Sequence, residues 1–194
     1  LSIWNLKLGL FNAFYSYIFL KGVFLLYLAK VNYSDDDVIQ MLSSVLKTII
    51  NENTIVVCIG TDRAIGDTLG PLVGTILKNS NFKYPVYGTL DNPIHALNIY
   101  ESLDTIKNTH IQGNFLAIDA CLGSQSNIGN IQIREGPILP GKGVGKKLPQ
   151  IGNYSIVGIV DKIDENNKLS FNNIRLSFIL DLAETIALAL LVST

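Results

Sequence analysis

Two short runs carry the residues best suited to chemistry: Gly60-Thr61-Asp62-Arg63-Ala64-Ile65-Gly66-Asp67-Thr68-Leu69-Gly70-Pro71 and Ala117-Ile118-Asp119-Ala120-Cys121. Each follows a β-branched apolar stretch, residues 54–59 or 115–118, and sets an aspartate at or just past the end of an expected strand. In open α/β sheets functional groups gather beyond the carboxyl ends of the strands. Asp67 and Asp119 are therefore expected to face one cleft, within about one bridging water of each other. Paired carboxylates perform general acid–base work when their surroundings push the two pKa values apart. Both residues also have plain structural uses: Asp67 as a cap for the helix that follows, Asp119 as an acceptor for loop amides.

Other chemistries are weaker in the same residues. Asp62, Asp67, Asp119 and His95 offer oxygen and nitrogen ligands for a divalent ion. The chain has only two histidines, His95 and His110, and no His-x-x-x-His or Cys-x-x-Cys spacing, so a zinc site of three strong ligands is not supported. No metal and no other cofactor is expected. Asp62 and His95 are read as substrate-binding candidates, with a helix-flanking role as the structural alternative for His95. The glycine-rich 60–70 loop could cradle a phosphate at a helix start. It lacks the Gly-Lys-Ser/Thr ending and the Gly-x-Gly-x-x-Gly spacing of the nucleotide loops, and Asp67 puts negative charge where the phosphate would lie. The two cysteines, Cys58 and Cys121, fall at the ends of neighbouring expected strands. They read as buried thiols in a reducing cytosol, with Cys121 the next nucleophile to consider after the acids.

The elements that must position these residues alternate in type. Residues 34–49 predict a helix opened by Ser34 and three acids, with Val38, Met41, Leu42, Val45 and Ile49 at helical spacing. Residues 54–59, 86–90, 115–120, 130–134 and 155–160 read as strands; 69–77, 95–107 and 173–192 read as helices. Residues 138–152 form a loop holding the basic cluster Lys142, Lys146 and Lys147, and a hairpin tip is expected at 165–167. Strands alternating with helices imply an α/β fold, with a mostly parallel sheet between helix layers.

A chain of 194 residues with net charge −1 suits one domain and gives no electrostatic footprint for nucleic acid. Residues 8–29 stand apart as an apolar, aromatic run broken by Asn12, Ser16 and Lys21. Its length suits a bilayer span of roughly 20 residues, while a central lysine costs about 3 kcal/mol on insertion scales. No small-residue cleavage site precedes Lys30, so a secretory signal is disfavoured. Residues 1–30 are accordingly read as an extension (an over-extended reading frame, a disordered segment or a membrane anchor). Residues 31–194 are read as a single domain that folds without it.

Four runs in order carry a resemblance: residues 58–71 and 117–123 around the two acids, Gly88-Thr-Leu-Asp-Asn-Pro-Ile-His95-Ala-Leu-Asn98, and residues 148–160. Over roughly residues 34–192 the chain resembles the YyaC-type sporulation proteins, relatives of the germination protease of spore-forming Firmicutes. The resemblance implies a three-layer α/β/α sandwich with a mostly parallel mixed sheet, phosphorylase/hydrolase-like, as in hydrogenase maturation endopeptidases. It also implies an aspartate-dependent endopeptidase. One acid of the germination protease lies in an Asp-Ala-Leu-Gly-Pro run, matched by Asp67-Thr68-Leu69-Gly70-Pro71; the other lies in an Ile-Asp-Ala run, matched by Ile118-Asp119-Ala120. The maturation endopeptidases bind the nickel of their target through further ligands. Here Thr68 stands at one ligand position and no histidine follows Asp119, so a metal-guided mechanism does not carry over. The implied substrate is a protein or peptide such as a small acid-soluble spore protein, met in the cytoplasm of mother cell or forespore. A non-catalytic relative that keeps the fold as a binding or scaffold module is the alternative. Self-association into a homo-oligomer is a further expectation; membrane contact is expected only if residues 8–29 anchor the chain.

Overall fold

The computed structural model describes residues 17–20, 23–140, 148–163 and 174–194, with side chains from Tyr27 onward. Seven strands form one sheet: β1 (Tyr17–Leu20), β2 (Val23–Asn32), β3 (Thr54–Cys58), β4 (Val86–Tyr87), β5 (Asn114–Gly123), β6 (Asn130–Glu135) and β7 (Tyr154–Lys162). Their order across the sheet is β1-β2-β6-β7-β5-β3-β4. The half from β7 to β4 is parallel, whereas β6, β2 and β1 add on antiparallel. Among the described residues four α-helices accompany it: α1 (Val38–Ile49), α2 (Leu69–Asn79), α3 (Ile99–Thr109) and α4 (Leu176–Leu191).

All five residues of β3 are buried, because its alternate side chains enter two different cores. Val56 and Cys58 join Leu116 and Ile118 of β5 beneath α1, α2 and α4. Ile55 and Val57 point the other way, with Ala117 and Val157, toward Ile99, Leu103 and Ile106 of α3. The result is the expected α/β architecture: a mixed sheet with helices on both faces. No helix among the described residues is long and apolar enough to cross a membrane.

Several boundaries differ from the sequence reading, each for a local reason. Ser34 does not cap α1. Its hydroxyl donates to Asn32 Oδ1 at 2.7 Å, and Asp35 Oδ2 accepts the Asn32 N–H at 2.8 Å, so these residues close the turn out of β2 and the helix starts at Val38. β4 stops at Tyr87 because Gly88, at φ 83°, turns the chain while its backbone presses on β3; a Cβ there would meet the Cys58 carbonyl oxygen at 1.9 Å. α3 begins at Ile99 rather than 95, since the Asn98 side chain accepts the His95 N–H and donates to the Pro93 carbonyl, holding 93–98 as a turn.

The N-terminal apolar run differs most. Residues 17–20 and 23–32 are strands of the sheet, and β2 pairs with β6 from Leu26↔Glu135 to Asn32↔Asn130. A boundary at 30/31 would cut β2 and separate Ala29 from Val31, both buried in the core beneath α1 and α4. An extended run of apolar residues is equally compatible with a buried strand and a buried helix by periodicity alone. The basic cluster at 142–147 and the expected tip at 165–167 lie outside the described residues.

Candidate site at the ends of β3 and β5

The loop that leaves β3 folds back over the strand end. Ile59 N–H donates to the Ile118 carbonyl at 2.8 Å, Gly60 N–H to Ile94 at 2.8 Å, and Thr61 N–H to the Asp67 carbonyl at 3.0 Å. Only glycine permits this closure at position 60: its φ is 139°, and a Cβ would meet the Asp67 carbonyl oxygen at 2.0 Å. Asp67 therefore ends a single 3-10 turn (Ile65–Asp67) laid against β5, immediately before α2. The buried Thr68 fixes that turn by donating its hydroxyl to the Ala64 carbonyl at 3.0 Å. Asp67 supplies no side-chain cap to α2.

Asp119 lies inside β5, one residue beyond the last pairing of β5 with β3, Cys58↔Ile118. It pairs in register with Val157 of β7, and strand alternation sets it on the same face as Ala117, above α3. Its Oδ1 accepts the Ala120 N–H at 2.9 Å. Burial raises the Asp119 carboxyl well above the usual range, and the nearby charge of Asp67 raises it further, against the lowering effect of the Ala120 amide. Burial also pushes Asp67 up to about 6, opposed by a hydrogen bond from the Thr61 backbone. Both carboxyls are thus raised, Asp119 with Asp67 among the causes.

The two aspartates and the loops around them fall within a family model described as a protein of unknown function (DUF1256), which matches residues 30–189. The chain belongs to this family. Over 148 residues it is also 41% identical to the uncharacterized protein YyaC of Bacillus subtilis (strain 168), spanning 76% of this chain and 72% of that relative. The family span starts inside β2, partway along its pairing with β6.

Within this family member the remaining candidates are dispersed. Asp62 is exposed on the loop, its Oδ1 accepting the Thr61 hydroxyl at 3.5 Å. His95 lies in a separate open cleft of about 700 Å³ along β4 and the first turns of α3, whose lining includes neither Asp67 nor Asp119. Its Nδ1 accepts the Leu97 N–H at 3.3 Å, which leaves Nε2 as the ring's donor. Among the described residues no group of three or more His, Cys, Asp or Glu side chains is placed to hold a metal ion. Cys58 and Cys121 lie on adjacent strands but point to opposite faces, Cys58 to the α2 side and Cys121 to the α3 side. Full burial pushes the Cys58 thiol far up, which removes it as a nucleophile.

Sequence reasoning missed the Tyr87–His110 pair, hydroxyl to Nε2 at 2.9 Å, and Thr75, whose hydroxyl accepts the Leu90 N–H at 2.9 Å. Neither lies in a motif; each depends on which strand sits at the sheet edge.

Proposed function

We propose that this chain is an aspartate-dependent endopeptidase of sporulating bacteria, acting on spore proteins in the cytoplasm of the mother cell or forespore. What supports the reading is the placement of Asp67 on a turn laid against β5, the strand that carries Asp119, together with the upward push that the charge of Asp67 gives the Asp119 carboxyl. Like charges held close do not both ionise easily. In this reading Asp67 serves as the carboxylate and Asp119 as the acid. Asp67 takes a proton from water as the water oxygen adds to the scissile carbonyl carbon. Asp119 gives its proton to the carbonyl oxygen, and the proton gained by Asp67 passes to the leaving nitrogen as the C–N bond breaks. As that bond breaks, Asp119 takes back a proton from one hydroxyl of the tetrahedral intermediate, which leaves the product carboxylic acid and restores the pair.

The fold supports the reading, because Asp67 follows β3 and Asp119 lies in the adjacent parallel strand β5 just past its last pairing with β3. A binding or scaffold module is the second reading, favoured by the hydrogen bond from the Thr61 backbone to Asp67, which would hold the loop without any catalysis. Incubating the purified chain with small acid-soluble spore proteins separates the two. Cleavage by the wild type and none by Asp67→Asn or Asp119→Asn supports the peptidase; intact substrate throughout leaves the binding module.

A further inference from the structure

The run from Gly88 to Asn98 has no part in the acid pair, yet it walls the cleft of about 700 Å³ at the free edge of the sheet. We propose that this cleft is the substrate groove: an extended, basic peptide pairs with the outer edge of β4 and runs from there to the acids. This deepens, and rests on, the peptidase reading.

Four observations converge on it. β4 is the last strand of the sheet among the described residues. Val56 donates to the Pro85 carbonyl, so in this parallel ladder the N–H and C=O of Val86 point away from β3, toward the open side. Such an edge recruits an extended peptide through main-chain hydrogen bonds, with side-chain pockets giving selectivity. The wall is also rigid. The Tyr87 hydroxyl is held by His110, Leu90 N–H by Thr75, and Asn92 N–H by the Thr89 hydroxyl. A pre-formed wall lowers the ordering cost of binding.

Charge gives the occupant its sign. The cleft presents the exposed carboxylates of Asp91 and Glu101 against the single ammonium of Lys78. A peptide with a basic side chain is therefore favoured over an acidic one. Finally, the cleft wall is bonded to the loop that carries Asp67. Ile94, in the cleft wall, forms a bridge with Ile59 and accepts the Gly60 N–H; the next residue, Thr61, donates to the Asp67 carbonyl. A peptide on β4 thus enters beside the loop that carries Asp67, with His95 Nε2 available as a donor on the way.

The probes are two blocked ten-residue peptides of alternating valine and serine, one with a central pair of lysines and one with a pair of glutamates. Each is titrated by fluorescence anisotropy against the full chain bearing Asp119→Asn, which prevents turnover. The lysine peptide is expected to bind at least about tenfold more tightly than the glutamate peptide, a factor worth about 1.4 kcal/mol. It should slow hydrogen exchange at the Val86 amide. Thr105→Trp, on the exposed surface of α3 within the cleft, should abolish binding, and Asp91→Lys with Glu101→Lys should reverse the preference. Unchanged binding in Thr105→Trp, no protection of Val86, or a free chain that dimerises through the β4 edge would overturn the groove. The two proposals fail separately. Wild-type cleavage with the same KM in Thr105→Trp removes the groove and keeps the peptidase, whereas groove binding without cleavage by the wild type does the opposite.

Discussion

A carboxyl on the face shared by Ala117 and Val157 is ionised only against the loss of water, and the charge of Asp67 adds to that cost. The sign of the pH effect follows. Both folded-state pKa values lie above the ordinary value of 3.8, so above that value the folded chain binds more protons than the unfolded one. Stability is then highest with respect to these groups near pH 4 and falls as pH rises toward and past 6. Asp67→Asn should remove part of that fall, making the variant more stable than the wild type at pH 7.5 by roughly 1–3 kcal/mol and little different at pH 4. Urea unfolding at the two pH values checks this. For activity, kcat/KM should rise as Asp67 ionises near pH 6 and fall at higher pH as Asp119 loses its proton, with both apparent values belonging to the pair. Either Asn variant should lose at least about a hundredfold in rate, and the double variant should be scarcely worse, because members of one catalytic unit do not contribute additively. A mass-spectrometric cleavage assay across pH measures all three. The candidate acids were legible in sequence because each comes after an apolar, β-branched run, although β5 continues past Asp119 to Gly123. The standing of His95 was not: its cleft is made by β4 and α3, which only the sheet order brings together.

Among the elements, the 60–70 loop and β2 bear the most weight. Gly70 has its Cα against the end of β3, and a Cβ would meet the Ile59 carbonyl oxygen at 2.1 Å. Gly70→Ala should therefore destabilise by more than about 3 kcal/mol, although alanine is the better helix former. A thermal melt decides it; a variant as stable as the wild type would show that the loop gives way. For β2, a chain lacking residues 1–30 loses β1 and most of the partner of β6, and it uncovers the core at Ala29. It should unfold without a cooperative transition in urea, whereas a chain lacking residues 1–16 keeps both strands. The parallel half could be anticipated from alternating strand and helix patterns. The antiparallel addition could not, because a partner a hundred residues distant leaves no local mark and an apolar run reads as span, helix or strand alike.

At the scale of the whole molecule, the sheet joins segments made far apart in time. β2 leaves the ribosome well before its partner β6, and β6 in turn rests on β7, Tyr154–Lys162. At about 5–20 residues per second of synthesis, the apolar strand waits roughly 5–20 s for β6 to emerge, and longer before β7 can support it. Throughout that interval β1 pairs only with Val23–Leu26, and the rest of β2 is a strand without its mate. A segment in that condition is a natural ligand for ribosome-associated chaperones and a seed for aggregation when they are scarce. Expression yield should thus respond to chaperone supply more steeply than the stability of the finished fold would suggest, with the sensitivity residing in residues 17–32.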